Sequence, residues 1–211
     1  MLIKFWSLML AFMIPVSVPS VSYRRLAQRD LQSSVLLHMT GLNEKGQRVL
    51  CGCSGTYISD SRILTAAHCF EGYDAKKIWA RGPFDPIGYR VKIERLDSKV
   101  DLALLDAPLK HPFVKLGRNP HVGDEVLNIG SPLDYEFAVS EGIVSICGFH
   151  SPGMGGYFMI TTAMINSGSS GGGAFNEKGQ LIGVNTRLVG PFGWHGISLA
   201  VDLKTIREFL R

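Results

Sequence analysis

Charge is scarce in this chain: 19% of its 211 residues are Asp, Glu, Lys or Arg, and only 9% are aromatic. The 22 basic and 18 acidic residues leave a formal net charge of +4, with the basic ones scattered rather than gathered into runs. Without a basic cluster or aromatics interleaved with one, there is no surface suited to nucleic acid, and no such partner is expected. Low charge combined with a hydrophobic content of 45% excludes a disordered chain and implies a packed one. The apolar run from Phe5 to Val18 is short for a bilayer span and is broken by Pro15. Cysteine is limited to four residues, a number that fits disulfides in an oxidising compartment. His38, His111, His121 and His150 lack metal-ligand spacing, so neither a metal nor a cofactor is expected.

What is present begins with an unusual N-terminus. In residues 1–22, Lys4 precedes the apolar stretch, and small residues follow at Ser20 and Ser22, the layout of a secretory signal peptide. Cleavage near Ser20 or Ser22 predicts a secreted or periplasmic protein. Arg24 and Arg25 leave open an uncleaved anchor, the one membrane contact expected. Residues 23–32 are polar and basic and read as a loosely held arm.

The stretch from Asn166 to Phe175 reads Asn-Ser-Gly-Ser-Ser-Gly-Gly-Gly-Ala-Phe. Residues so small supply little apolar area, and glycine loses the most backbone freedom on ordering, so packing does not explain them. A flexible linker is the usual meaning of such a composition. Here, however, apolar, β-rich segments flank it at 157–165 and 181–184. A serine nucleophile accounts for it better: the hydroxyl must stand clear of bulk, and neighbouring N–H groups must converge on one point. Ser170 is then the candidate nucleophile. It needs a base and a group to orient that base. His68 ends the run Ile63-Leu64-Thr65-Ala66-Ala67, and Asp101 opens the run Leu102-Ala103-Leu104-Leu105. Taken singly, His68 could be a core histidine and Asp101 a strand-edge charge. Asp97 is a nearby alternative acid but lacks the apolar run after it.

These three blocks, in the order His, Asp, Ser, resemble those of the chymotrypsin-like serine proteases, and most nearly the HtrA-type (Deg) branch. The likeness runs from about Ser33 to the C-terminus. It implies a serine endopeptidase acting on protein or peptide substrates, with Ser170 as nucleophile, His68 as general base, and Asp101 orienting the imidazole. The N–H groups of Gly168 and Ser170 would form the oxyanion hole. The resemblance also implies a Cys53–Cys69 disulfide beside the histidine. That leaves Cys51 and Cys147, for which mutual pairing is one of the three connectivities that four cysteines allow. A zinc site built from Cys51, Cys53, His68 and Cys69 is disfavoured by the adjacent His68-Cys69. Ser169 stands where trypsin-like zymogens carry an aspartate, so activation by a salt bridge to a new N-terminus is not expected. Met164 and Ile165 on one side, with Val184, Asn185 and Thr186 on the other, resemble the walls of a primary specificity pocket. They contain no acid and imply a small or medium apolar P1 side chain. HtrA-type proteins usually continue into a PDZ domain; none is expected here, nor the peptide binding and allosteric control it brings.

Short strands are predicted at 33–39, 49–59, 63–66, 77–80, 89–96 and 102–105, then at 125–130, 141–147, 157–164, 172–175, 181–187 and 197–201. Prolines at 108, 112 and 120 mark the crossover between the two sets. The expected fold is all-β: two six-stranded antiparallel barrels, residues 23–115 and 116–211, with the site in the cleft between them. A short C-terminal helix is expected after Asp202, burying Leu203, Ile206, Phe209 and Leu210. Trp194 and His195, in a Gly-bounded loop, could touch substrate. Gly168-Ser169-Ser170-Gly171-Gly172 also fits the α/β-hydrolase pattern, but that fold needs the order Ser, acid, His. Two other readings share the fold: a catalytically silent binding module, and a viral or phage polyprotein protease.

Overall fold

The computed structural model describes residues 23–43, 45–188 and 197–211. The signal-like segment and the pair Trp194 and His195 therefore lie outside the described residues. Among the described residues, twelve strands form two closed antiparallel barrels. The first contains β1 (Ser34–Asn43), β2 (Arg48–Ser59), β3 (Arg62–Thr65), β4 (Tyr73–Arg81), β5 (Tyr89–Asp97) and β6 (Leu102–Asp106), in the order β1-β2-β3-β6-β5-β4. The second contains β7 (Glu125–Gly130), β8 (Ala138–Phe149), β9 (Phe158–Thr161), β10 (Gly173–Phe175), β11 (Leu181–Leu188) and β12 (Ser198–Asp202), in the order β10-β11-β12-β9-β8-β7. Closure removes the unpaired edges that short strands would otherwise present to water.

Each barrel has its own apolar interior. Leu37, Met39, Tyr57, Ile63 and Leu105 fill the first, and Val126, Val144, Met159, Ala174, Ile182 and Ala200 part of the second. A third cluster joins them: Leu64, Leu102 and Leu104 of the first barrel meet Leu127, Ile129, Phe175 and Val184 of the second. This shared core presses together the barrel faces that carry the site. In β5 the two-residue alternation of a strand fails at Ile93, which is 41% exposed although Val91 is buried. A register shift against β6 between Ile93 and Arg95 breaks the two-residue period there.

The segment read as a loose arm is a helix, α1 (Tyr23–Leu31). Leu26, Ala27 and Leu31 pack on the shared core, and Arg29 Nη2 donates to the carbonyl of Lys178 at 2.5 Å. A few apolar residues at helical spacing were hidden among the arginines. The C-terminal helix α2 (Leu203–Phe209) begins as its sequence indicates, with Asp202 Oδ1 accepting from Lys204 N at 2.9 Å.

Cys53 and Cys69 form a disulfide. Cys51 and Cys147 are both free thiols, one on β2 of the first barrel and the other on β8 of the second, so the pairing that the sequence left open is not formed. Non-reducing peptide mapping should recover the Cys53–Cys69 link and no Cys51–Cys147 link. Replacing both bridged cysteines by Ala should cost about 3 kcal/mol in denaturant unfolding, the chain-entropy expectation for a loop of this order.

Candidate active site

His68 lies in a single 3-10 turn, Ala67–Phe70, that ends the apolar run of β3. Ala66 and Ala67 are fully buried, so the turn is anchored while the imidazole stays partly open to solvent. Asp101 closes the turn into β6 with φ +58, a left-handed conformation that aspartate tolerates better than most residues. That conformation turns its carboxylate back on the histidine. Oδ1 accepts from the His68 backbone N–H at 2.9 Å, and both carboxylate oxygens lie 2.9 Å from His68 Nδ1. A third donor crosses from the second barrel, where the Thr186 hydroxyl donates to Oδ2.

Asp101 is 2% exposed, and burial alone would raise its pKa. Hydrogen bonds from the His68 ring, from Thr186 and from the His68 backbone outweigh that effect and hold it below the ordinary carboxylate value. The group is therefore an anion at neutral pH and can only accept hydrogen bonds. Nδ1 of a neutral His68 must carry the proton, which leaves Nε2 as a free base.

Ser170 sits on the second barrel in the turn before β10, and its Oγ donates to the carbonyl of Thr186 at 3.1 Å. Thr186 thus holds the alcohol with its carbonyl and the carboxylate with its hydroxyl. The structure brings His68, Asp101 and Ser170 together in this way, although Ser170 and His68 share no direct hydrogen bond among the described residues.

The loop before Ser170 is oriented peptide by peptide. Ser167 O accepts from Leu133 N at 2.8 Å, and Ser169 O accepts from Gly172 N at 3.0 Å. A trans peptide points its N–H opposite its carbonyl, so the N–H groups of Gly168 and Ser170 are turned away from these bonds. Neither donates to an acceptor among the described residues. Gly168 has φ +94, and a Cβ there would lie 2.3 Å from Ser131 O. At Gly171, φ is +83 and a Cβ would lie 2.0 Å from Thr65 Oγ1. The second clash explains the glycine after the serine: the loop runs against the backbone of the opposite barrel.

Ser54 went unnoticed in the sequence. It is 2% exposed. Its Oγ donates to Gly168 O at 2.8 Å and accepts from Ser131 N at 2.9 Å, while its N–H donates to Ser170 O at 2.8 Å. A lone serine in a strand carries no signal of such a role. Of the expected pocket residues, Met164, Ile165 and Asn185 line a common cavity of about 400 Å³ together with Asn166 and Ser169. Val184 instead lies fully buried in the shared core, and Thr186 is engaged with Asp101 and Ser170. Among the described residues no group of three or more His, Cys, Asp or Glu side chains could hold a metal ion.

Two antiparallel six-stranded barrels with this constellation on their facing sides define the chymotrypsin-like class of fold. Residues 53–184 match the trypsin-like peptidase domain. The chain is 36% identical over 169 residues to the zebrafish (Danio rerio) serine protease HTRA1B, covering 74% of this chain and 34% of that protein. It is 35% identical over 167 residues to a probable periplasmic serine endoprotease, DegP-like, from Marinomonas sp., covering 76% and 35% respectively. Among solved structures, the HtrA-type protease AlgW with a tripeptide superposes with a TM-score of 0.80 at 29% identity, covering 90% of this chain and 62% of that one. The chain belongs to the trypsin-like peptidase family, with HtrA- and DegP-type proteins among its relatives. It spans about a third of the length of these curated relatives.

Because the Asp101 pKa is depressed on folding, its contribution to stability is complete above the ordinary carboxyl value of 3.8 and is lost as pH falls through the lower folded value. Urea unfolding of the protein and of Asp101→Asn should therefore differ most near neutrality, with the gap closing below about pH 4. Ser54→Ala strands Gly168 O and Ser131 N, and should cost about 1–3 kcal/mol in the same assay.

Proposed function

We propose that this domain is a serine endopeptidase that cleaves peptide bonds through an acyl-enzyme on Ser170. The observation that carries the reading is the two-sided tie made by Thr186, which holds the alcohol and the His68–Asp101 pair on one residue. For reaction, the Ser170 hydroxyl exchanges the Thr186 carbonyl for His68 Nε2 as its acceptor. Ser170 Oγ then attacks the scissile carbonyl while Nε2 takes its proton, and Asp101 stabilises the imidazolium that results. The oxyanion develops against the N–H groups of Gly168 and Ser170. The proton passes from Nε2 to the leaving amine, the C–N bond breaks, and water deacylates the serine by the same route in reverse.

A peptide substrate agrees with the tripeptide held by the AlgW neighbour. Export to the periplasm or beyond agrees with the DegP-like relatives described as periplasmic and with the signal-like segment 1–22. Acid is absent from the candidate pocket, and Met164 and Ile165 give it apolar walls, so the P1 side chain is uncharged and of modest size.

A fluorophosphonate probe should label the folded protein at Ser170, and Ser170→Ala should abolish the label. His68→Ala should slow labelling by about a thousandfold or more. A folded, unlabelled wild type would favour the silent binding module instead.

A further inference from the structure

The cavity beside the Ser170 loop has a feature that apolar walls do not explain. Two asparagines line it, Asn128 of β7 and Asn185 of β11, exposed by 2% and 1%. Asn128 pairs with Ala174 and Ala174 with Gly183, so the side chains of Asn128 and Ala174 project to one face of the sheet, the face on which Gly183 leaves room. Asn185 and Gly130, each two residues along its strand, face the same way. Ala174 and Gly130 are too small to fill the space between the two amides. Beneath this floor lies the apolar interior of the second barrel.

Asn128 Nδ2 donates to Ala163 O at 2.9 Å, which orients the amide and leaves Oδ1 without a partner. Neither Oδ1 nor Nδ2 of Asn185 has a partner. Two residues that line one cavity therefore carry three buried polar atoms without partners, a costly arrangement unless something from outside completes it. The cavity wall includes Met164, Ile165, Asn166 and Ser169, all within six residues before Ser170. Asn185 directly precedes Thr186, whose carbonyl holds Ser170 Oγ. The cavity is thus lined by the residue directly before Ser170 in the chain, Ser169, and by the residue directly before its hydrogen-bond acceptor Thr186, Asn185.

We infer that the cavity receives a P1 side chain ending in a primary carboxamide, glutamine above others, with Asn128 and Asn185 as the specificity-determining pair. The inference rests on the peptidase reading and replaces the purely apolar P1 side chain expected from the sequence. A carboxamide brings two N–H donors and one carbonyl acceptor. The unpaired set consists of two acceptor oxygens, Asn128 Oδ1 and Asn185 Oδ1, and one donor nitrogen, Asn185 Nδ2 with its two N–H groups. A carboxylate at this floor would face two acceptors with no donor to offer them. An ammonium would leave Nδ2 unpaired and find no acid among the cavity residues. A purely apolar end would leave all three atoms unsatisfied. The aliphatic stem of glutamine suits the Val139, Ile165 and Met164 walls.

The test uses peptides that differ only at P1, carrying Gln, Glu, Met, Leu, Val or Lys, cleaved by the protein and by Asn128→Leu and Asn185→Leu. Fluorophosphonate labelling of every protein checks that the nucleophile is intact, and Asn128→Ser provides a smaller change should a leucine variant fail to fold. Wild-type kcat/KM should favour Gln over the near-isosteric Met and Glu by about ten-thousandfold, the scale of discrimination when a site built for hydrogen bonds meets an analogue that lacks them. The variants should invert that ranking towards Met and Leu. Labelled protein that cleaves Val or Leu peptides as well as Gln would overturn the carboxamide assignment alone, as would variants that change melting temperature but not the P1 ranking. Absence of both labelling and cleavage in the folded wild type would overturn the peptidase reading, and this one with it.

Discussion

The geometry of this molecule depends on a hydrogen-bonded seam between two barrels. Asp101 of the first barrel accepts from Thr186 of the second, and Ser54 of the first is bonded to Gly168, Ser131 and Ser170 of the second. Apolar contact through Leu64, Leu102, Leu104 and Leu127 is non-directional and could accommodate a slide of one barrel on the other. Buried hydrogen bonds cannot, because each loses its partner when displaced and strands a polar group. The seam thus converts an approximate docking into a defined one, and the candidate chemistry lies along it.

The glycines follow from that seam. Gly171 sits where the serine-bearing loop meets Thr65 and Ser54 of the opposite barrel, and a methyl group there has no room. Gly168 is held with positive φ against Ser131, which keeps its carbonyl on Ser54 and its N–H turned elsewhere. The small residues between Asn166 and Ala174 therefore serve close backbone approach between barrels as well as access to the serine hydroxyl. Asp101 contributes a different element, a left-handed backbone conformation held by three hydrogen-bond donors around its carboxylate.

The second barrel is not uniformly apolar, and the exception lies next to the site. Its interior of Val126, Val144, Met159 and Ile182 gives way to Asn128 and Asn185 at the end nearest the Ser170 loop. Polar atoms without partners are tolerated in a native protein where a ligand or function supplies what the fold does not. In this fold they coincide with the recess next to the proposed nucleophile, whereas the apolar contacts that close the barrel lie elsewhere.

The residues alone determined the two sets of six short strands, the cap at Asp202 and the candidates His68, Asp101 and Ser170, because these have local signatures: two-residue alternation, a capping side chain, and a polar residue abutting an apolar run. The helix α1 was missed because its few apolar residues are outnumbered by charged ones, and their value appears only against the shared core. Ser54 and Asn128 look like ordinary strand residues, and Thr186 resembles a pocket wall in the sequence, whereas in the structure its hydroxyl bonds Asp101. Free Cys51 and Cys147 could not be separated by counting, since pairing depends on which barrel each thiol occupies. Only the tertiary structure decided which partners these groups meet, because each partner lies on a strand or loop far away in sequence and register and barrel closure alone bring them within hydrogen-bonding reach.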